Sequence, residues 1–229
     1  MYKNKTFLSI IPARGGSKRL PKKNLLKLKN KPLIAYSINA ALKSKYIDKI
    51  IVSSESKLIL NFSKKLGVDT VKRPKKLAKN NSTIFEVIKN VLKYVEPNKY
   101  EYIVLLQPTS PLRNEKNIDE AIKLLDKKKV NAVISVCKCS HSPLWSNLLP
   151  KNDSMVNFLK KDALNKQSQE LKEYYRLNGA IYICKLENLL KEKSFFLKKK
   201  IVAYKMPEYQ SVDIDTKLDF IIAKTLLKN

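Results

Sequence analysis

The chain reads as an α/β protein built on a mostly parallel sheet sandwiched by helices, and three observations predict this. Strand-like and helix-like segments alternate along the sequence, several strands are continuous apolar runs, and the intervening helices carry apolar residues at 3.6-residue spacing. The first strand is residues 7–11, an apolar run that stops at Pro12. A helix over 32–44, a strand over 49–53, a helix over 57–66 and a strand over 69–72 follow. The third helix, 84–95, is the clearest, because Ile84, Val87, Ile88, Val91, Leu92 and Val95 make one stripe. The next strand, 102–106 (Tyr-Ile-Val-Leu-Leu), has no polar face, the pattern of a strand covered on both sides. Then come a helix over 117–127, strands over 132–137, 180–184 and 201–205, and a last helix over 216–227. Sheets of this kind bind ligands beyond the carboxyl ends of their strands. The loop holding Arg14, the Ser53-Ser54 turn and the Gln107-Pro108-Thr109 turn all fall at such ends, so they are predicted to converge on one crevice.

At 229 residues the chain is long enough for a single domain with a substantial core. No run approaches the roughly 18 apolar residues of a membrane span. The first seven residues lead straight into a strand with no signal-peptide pattern, and Cys137 and Cys139 alternate within an apolar strand as reduced core thiols. With Cys184 and the sole histidine, His141, these are too few for a zinc site. Together these features predict a cytoplasmic protein. The formal charge of +27 raises a function from another class, a basic RNA-binding protein. Against it, the lysines are scattered over solvated positions, with no basic helix interleaved with aromatics, no RNP-like strand and no helix-turn-helix pattern. No specific nucleic-acid partner is therefore expected.

The segment Ile10-Ile11-Pro12-Ala13-Arg14-Gly15-Gly16-Ser17-Lys18-Arg19-Leu20-Pro21-Lys22-Lys23-Asn24 carries the most chemistry. A strand opens into a Gly-Gly turn rich in cations, where backbone N–H groups and positive side chains can meet a polyphosphate. The spacing fits neither the Walker A pattern nor GxGxxG. Arginine is informative here too. Only Arg14, Arg19, Arg73, Arg113 and Arg176 stand among 47 basic residues, as if kept where a planar bidentate fork is needed.

Three further features are open to two readings each. Asp213 and Asp215 share a face of extended chain and could converge on one hard cation, but Asp215 also precedes an apolar-periodic stretch and could be a helix N-cap. Thr83, beside Ser82, could contact a ligand, cap the following helix, or do both. Residues 140–175 break the strand–helix alternation; they are polar, hold Pro143, Pro150 and the only tryptophan, Trp145, and form either a flexible insertion or an arm.

Taken together, these blocks resemble the acylneuraminate cytidylyltransferase family, which activates acidic sugars. The resemblance continues through Arg73-Pro74, Leu106-Gln107-Pro108-Thr109-Ser110-Pro111-Leu112-Arg113, Arg176-Leu177-Asn178-Gly179-Ala180-Ile181-Tyr182 and Ser211-Val212-Asp213-Ile214-Asp215-Thr216, in the family's order and over nearly the whole chain. It implies a Rossmann-like fold of the nucleotide-diphospho-sugar transferase type, with residues 140–175 as a dimerisation arm that caps the partner's site. The implied reaction is attack by the anomeric hydroxyl of a nine-carbon 2-keto acid sugar on the α-phosphorus of CTP, with Mg2+ as the metal. The product would serve surface polysaccharide or glycoprotein synthesis.

By position, the resemblance assigns Arg14, Ser17, Lys18, Lys23 and Asn24 to the triphosphate and nucleotide. It assigns Arg73 and Thr83 to the cytidine, and Asp213 and Asp215 to the metal. Arg14, Lys23, Asp213 and Asp215 would carry catalysis. Gln107 and Arg176 resemble sugar-side and phosphate-side groups, while Tyr182, Phe195 and Phe196 match an apolar pocket for an N-acyl substituent. His141 matches a sugar contact at the root of the arm.

Two departures stand out. The turn after Arg73 has Lys79-Asn80-Asn81 where the family usually has an acidic residue, and Lys166 occupies a stretch where the family often has an arginine. Trp145, Asn147 and Pro150 resemble the branch that acts on legionaminic acid. An enzyme activating the eight-carbon acid Kdo is the alternative within the class.

Overall fold

The computed structural model of the chain describes residues 1–79 and 81–227. Its centre is a seven-stranded sheet of β1 (Phe7–Pro12), β4 (Lys49–Ser54), β5 (Asp69–Lys72), β6 (Tyr102–Leu106), β7 (Ala132–Lys138), β8 (Tyr175–Lys185) and β9 (Ile201–Lys205). A two-stranded ribbon, β2 (Lys27–Leu28) with β3 (Lys31–Pro32), stands apart. The spatial order is β5-β4-β1-β6-β8-β7-β9. β5, β4, β1 and β6 run parallel, as does the β7–β9 pair, while β8 runs antiparallel to both β6 and β7. The expected mostly parallel sheet is therefore present, with one reversed strand near its middle.

Alternation along β1 separates two cores. Phe7 and Ile11 join the cluster built with α1 (Leu33–Lys43), α2 (Lys57–Lys65) and α4 (Glu115–Lys127), through Ile34, Ile38, Ile59, Ile118 and Ile122. Leu8 and Ile10 join the opposite cluster, through Ile88 and Val91 of α3 (Ile84–Val91) and Leu186 and Leu189 of α5 (Leu186–Glu192). The period of two in a strand is what allows one strand to feed both layers. A third, smaller cluster packs Ile214, and Ala223 from α6 (Lys217–Leu226), on Leu28 and Leu33.

The differences from the sequence reading are local. α3 tightens into a 3-10 turn at Leu92–Tyr94 rather than running to Val95 as an α-helix, a common way to end a helix. α5 was not expected, being only seven residues long and too short for its periodicity to show. β8 starts at Tyr175 rather than Ala180: Tyr175, Arg176 and Leu177 are exposed, and Asn178 and Gly179 separate them from the apolar run that follows. Cys139 lies just beyond the end of β7 rather than within it, and Cys137 and Cys184 are buried.

One irregularity positions the site. Between Ile134 and Val136 of β7 the register against β8 jumps from Tyr182 to Leu177. Ser135 fills the gap: its hydroxyl donates to Asn178 Oδ1 at 2.6 Å and accepts from the Ile181 N–H at 2.8 Å. The bulge throws Gly179 out with φ +71°, a backbone state that glycine adopts without strain.

Candidate active site

The carboxyl ends of β1, β5 and β6 open into a cavity of about 630 Å³. Among its lining residues are Arg14, Ser17, Lys23, Asn24, Arg73, Thr83, Gln107, Tyr182, Phe195, Phe196, Asp213 and Asp215. Twelve of the sixteen residues that the sequence points to thus come together. Lys18, His141, Lys166 and Arg176 are exposed and stand outside that lining; His141 and Lys166 belong to residues 140–175, and Arg176 is on the exposed start of β8. Asn80, the middle of the departing turn, lies outside the described residues.

The loop after β1 is folded back on itself by side chains. Ala13 donates its N–H to Ser53 O at 2.9 Å, continuing the β1–β4 pairing past the strand end. Asn24 is buried and donates from Nδ2 to Arg14 O at 2.8 Å, while its Oδ1 has no partner. The Gly15 N–H, expected to face an anion from a ligand, instead donates to Glu55 Oε1 at 2.7 Å. Arg73 is bound from both ends. Its N–H donates to Ser54 O at 3.0 Å and its Nε to Glu55 Oε2 at 3.3 Å. Burial lowers the Arg73 pKa below its ordinary value; the Glu55 carboxylate opposes that shift and nearby Arg14 adds to it. Glu55, which holds this wall from behind, is a residue that the sequence reading missed. Its only signal was an acid in the Ser-Glu-Ser turn of a strongly basic chain.

Opposite this wall stand the carboxylates. Ile214 donates its N–H to Thr109 O at 2.8 Å, which pins the Asp213–Asp215 segment against the Gln107–Thr109 turn. Lys23 Nζ donates to Ile214 O at 2.7 Å and to Asp215 Oδ1 at 2.9 Å, and Arg19 reaches Asp215 Oδ2 at 2.7 Å. The helix-cap reading of Asp215 does not hold. Thr216 is the N-cap of α6, in a reciprocal capping box with Asp219, and Asp215 only donates its N–H to Asp219. Thr83 does cap α3 through Glu86, and it also lines the cavity.

Asp213 is in a different state. Its Oδ1 is buried without a hydrogen-bond partner, and so is the Thr109 hydroxyl nearby. Burial raises its carboxyl pKa; Thr109 opposes the rise, Asp215 adds to it and Lys23 opposes it, with burial the largest effect. A Cβ on Gly179 would sit 3.3 Å from Asp213 Oδ2 and 3.8 Å from Gln107, so the bulge lets a bare backbone back this carboxylate closely. Among the described residues, no three His, Cys, Asp or Glu side chains gather as a ready metal cage. A hard cation held by only one or two protein carboxylates, with the rest of its shell from phosphates and water, fits Asp213 and Asp215. The orphaned Asp213 oxygen is the observation that favours it.

The far side of the cavity is aromatic. Tyr182 and Phe195 meet in a tilted pair with centroids 5.7 Å apart, Phe195 is 4% exposed and Phe196 is 55% exposed. The turn carrying Gln107 is braced from behind: Ser37 donates its hydroxyl to Gln107 O at 3.1 Å and accepts from Arg113 Nη2 at 2.6 Å. Arg113 is fully buried, and desolvation alone pushes its pKa down to about 9.

Comparison with known proteins gives the family. The family described as cytidylyltransferase matches residues 8–226. The N-acylneuraminate cytidylyltransferase of Escherichia coli O18:K1:H7 is 39% identical over 96% of this chain and 51% of its own length. The CMP-N,N'-diacetyllegionaminic acid synthase of Legionella pneumophila is 34% identical over 96% of both chains. The chain thus spans about half the length of the first of these relatives and nearly all of the second. Among solved structures, a CMP:2-keto-3-deoxy-manno-octonic acid synthetase complexed with CTP superposes with a TM-score of 0.73 over 97% of this chain and 98% of its own, at 15% identity. That is a likeness of fold. No helix among the described residues is long and apolar enough to cross a membrane.

Proposed function

The chain belongs to the cytidylyltransferase family, and from that premise we propose that it activates a nine-carbon nonulosonic acid of the sialic or legionaminic type with CTP. The observation that carries the reading is the cavity itself. Cations, a buried arginine and two carboxylates face one another across a space that ends in aromatic rings. In the reaction, the sugar's anomeric oxygen forms a bond to the α-phosphorus of CTP, the bond to the β-phosphate oxygen breaks, and pyrophosphate leaves. The hydroxyl proton is lost to solvent or a nearby carboxylate.

Such a transfer needs alignment and charge stabilisation more than covalent help. Arg14, Ser17 and Lys23 would meet the triphosphate, with Lys18 at its outer edge. Asn24, whose Oδ1 is unsatisfied, and Arg73 and Thr83 would hold the nucleoside. Gln107 would face the sugar and the Tyr182–Phe195–Phe196 group its acyl substituent. Asp213 and Asp215 would hold Mg2+, which when bound supplies charge neutralisation at the phosphates. Because Lys23 and Arg19 already engage Asp215, they would share that carboxylate with the cation.

We assign residues 140–175 to a dimer contact. The segment exposes Leu148, Met155, Val156 and Leu164, and His141, Lys166 and Arg176 then act towards the partner's site rather than their own. The need for CTP and the three free thiols favour a cytoplasmic setting. The test is pyrophosphate release with CTP and Mg2+, offered N-acetylneuraminic, legionaminic and pseudaminic acids and Kdo in parallel. Turnover of one nine-carbon acid supports the reading and names the substrate. Turnover of Kdo alone reassigns the sugar, and silence from folded protein removes the activity.

A further inference from the structure

Glu55 lies in the turn between β4 and α2 and does not itself line the cavity, yet its two carboxylate oxygens tie Arg73, which does, to Gly15 of the loop whose Arg14 and Ser17 do. Oε1 accepts from the Gly15 N–H at 2.7 Å and Oε2 from Arg73 Nε at 3.3 Å, partners 40 and 18 positions away in sequence. The side chains are enclosed, Glu55 at 16% and Arg73 at 4% exposure. Gly15 is shaped to the same purpose. A Cβ there would lie 3.0 Å from Ser56 Cβ and 3.3 Å from Glu55 Oε1, so a larger residue would press on this turn and glycine lets the loop seat closely against it. Gly16, by contrast, has open space around it and is the glycine whose backbone remains exposed.

Electrostatics point the same way. Nearby Arg14 disfavours the charge on Arg73, in a chain of net charge +27. A guanidinium taken out of water needs a fixed counter-charge, and Glu55 is the acid that Arg73 has. We propose that Glu55 is a positioning residue for the nucleotide, holding the Gly15 loop and the Arg73 fork in the arrangement that receives CTP. The inference rests on the cytidylyltransferase reading above. It differs from a second use of the same contacts, in which the carboxylate merely stands in for a phosphate and is displaced when nucleotide arrives.

The test is CTP affinity by titration calorimetry without sugar, together with KM for CTP, KM for the sugar and kcat, for Glu55→Gln, Glu55→Asp and Glu55→Ala. Loss of the charge and of one acceptor is expected to weaken CTP binding about tenfold in Glu55→Gln and more in Glu55→Ala. KM for the sugar and kcat at saturating CTP are expected to stay within about twofold, a split that a general loss of folded protein does not produce. Glu55→Asp recovers part of the affinity. Glu55→Gln is isosteric and carries the test if Glu55→Ala fails to fold. Unchanged CTP affinity in the Gln variant overturns the inference, and tighter binding overturns it in favour of the phosphate stand-in. Wild-type protein that binds no CTP overturns the functional reading, and this inference with it; wild-type binding with unaffected variants overturns the inference alone.

Discussion

The cavity wall and the segment 140–175 are made from the same lysine-rich chain, yet they are organised in opposite ways. Around the cavity, polar groups are fixed by one another over long sequence distances: Lys23 to Asp215, Gly15 and Arg73 to Glu55, with Ser135 to Asn178 in the bulge. Along 140–172 the structure is a series of short turns with mostly local hydrogen bonds, and Leu148 and Val156 are 90% and 79% exposed. The first region is set before any ligand arrives. The second has exposed apolar surface and no core of its own to cover it, and on that surface the proposed dimer contact rests.

The comparison breaks first at Asp213. In Asp213→Asn, turnover is expected to fall by at least about a hundredfold, in the range seen when a key electrostatic group is removed from an active site. Stability should move the other way. Burial raises the carboxyl above its ordinary 3.8, so the folded state holds the proton to higher pH than the unfolded state does. That contribution is fully present below the unfolded value and is lost as pH rises through the folded value. At neutral pH the wild type therefore carries a strained charge that Asn lacks. The variant should melt higher than wild type at pH 7, with the gap closing below about pH 4. Paired activity and thermal unfolding curves check both signs. Asp215→Asn should abolish turnover without that gain.

Phe195 and Phe196 sharpen the contrast between wall and surface. Phe195→Ala is expected to cost about 3–5 kcal/mol of stability, and Phe196→Ala no more than about 0.5 kcal/mol while raising KM for the sugar. Urea unfolding and steady-state kinetics separate the two. Gly179→Ala adds a Cβ against Asp213 at a positive φ and should cost about 1–3 kcal/mol, with kcat falling alongside. The smallest effect on folding is expected in the arm. Leu148→Glu with Val156→Glu should leave the melting temperature within a degree or two, since both positions are exposed. Sedimentation should nevertheless shift from dimer to monomer. A dimer that survives both changes removes the arm from the interface.

How much of this was legible in the sequence follows from the same contrast. Strands such as Tyr102–Leu106 announce themselves because burial on both faces leaves an unbroken apolar run. The carboxyl-end placement of Arg14 and Gln107 then follows from the fold. The pairing of Lys23 with Asp215 does not, because it joins residues 192 apart through two loops whose approach no local pattern encodes. The same holds for Glu55, a single acid in a turn, and for the bulge at Ser135, where Asn178 reads as one more polar residue although it is 1% exposed. Thr216 could have been recognised as the cap of α6, since Asp219 stands three positions later, and that would have freed Asp215 for its other reading sooner.

The most direct test of the account is phosphorus NMR of CTP, Mg2+ and the sugar that turns over, followed with wild-type protein. The account predicts that the α-phosphorus signal moves to that of a phosphodiester while one equivalent of pyrophosphate appears. Inorganic phosphate with CDP, or an unchanged triphosphate in the presence of folded protein, would contradict it.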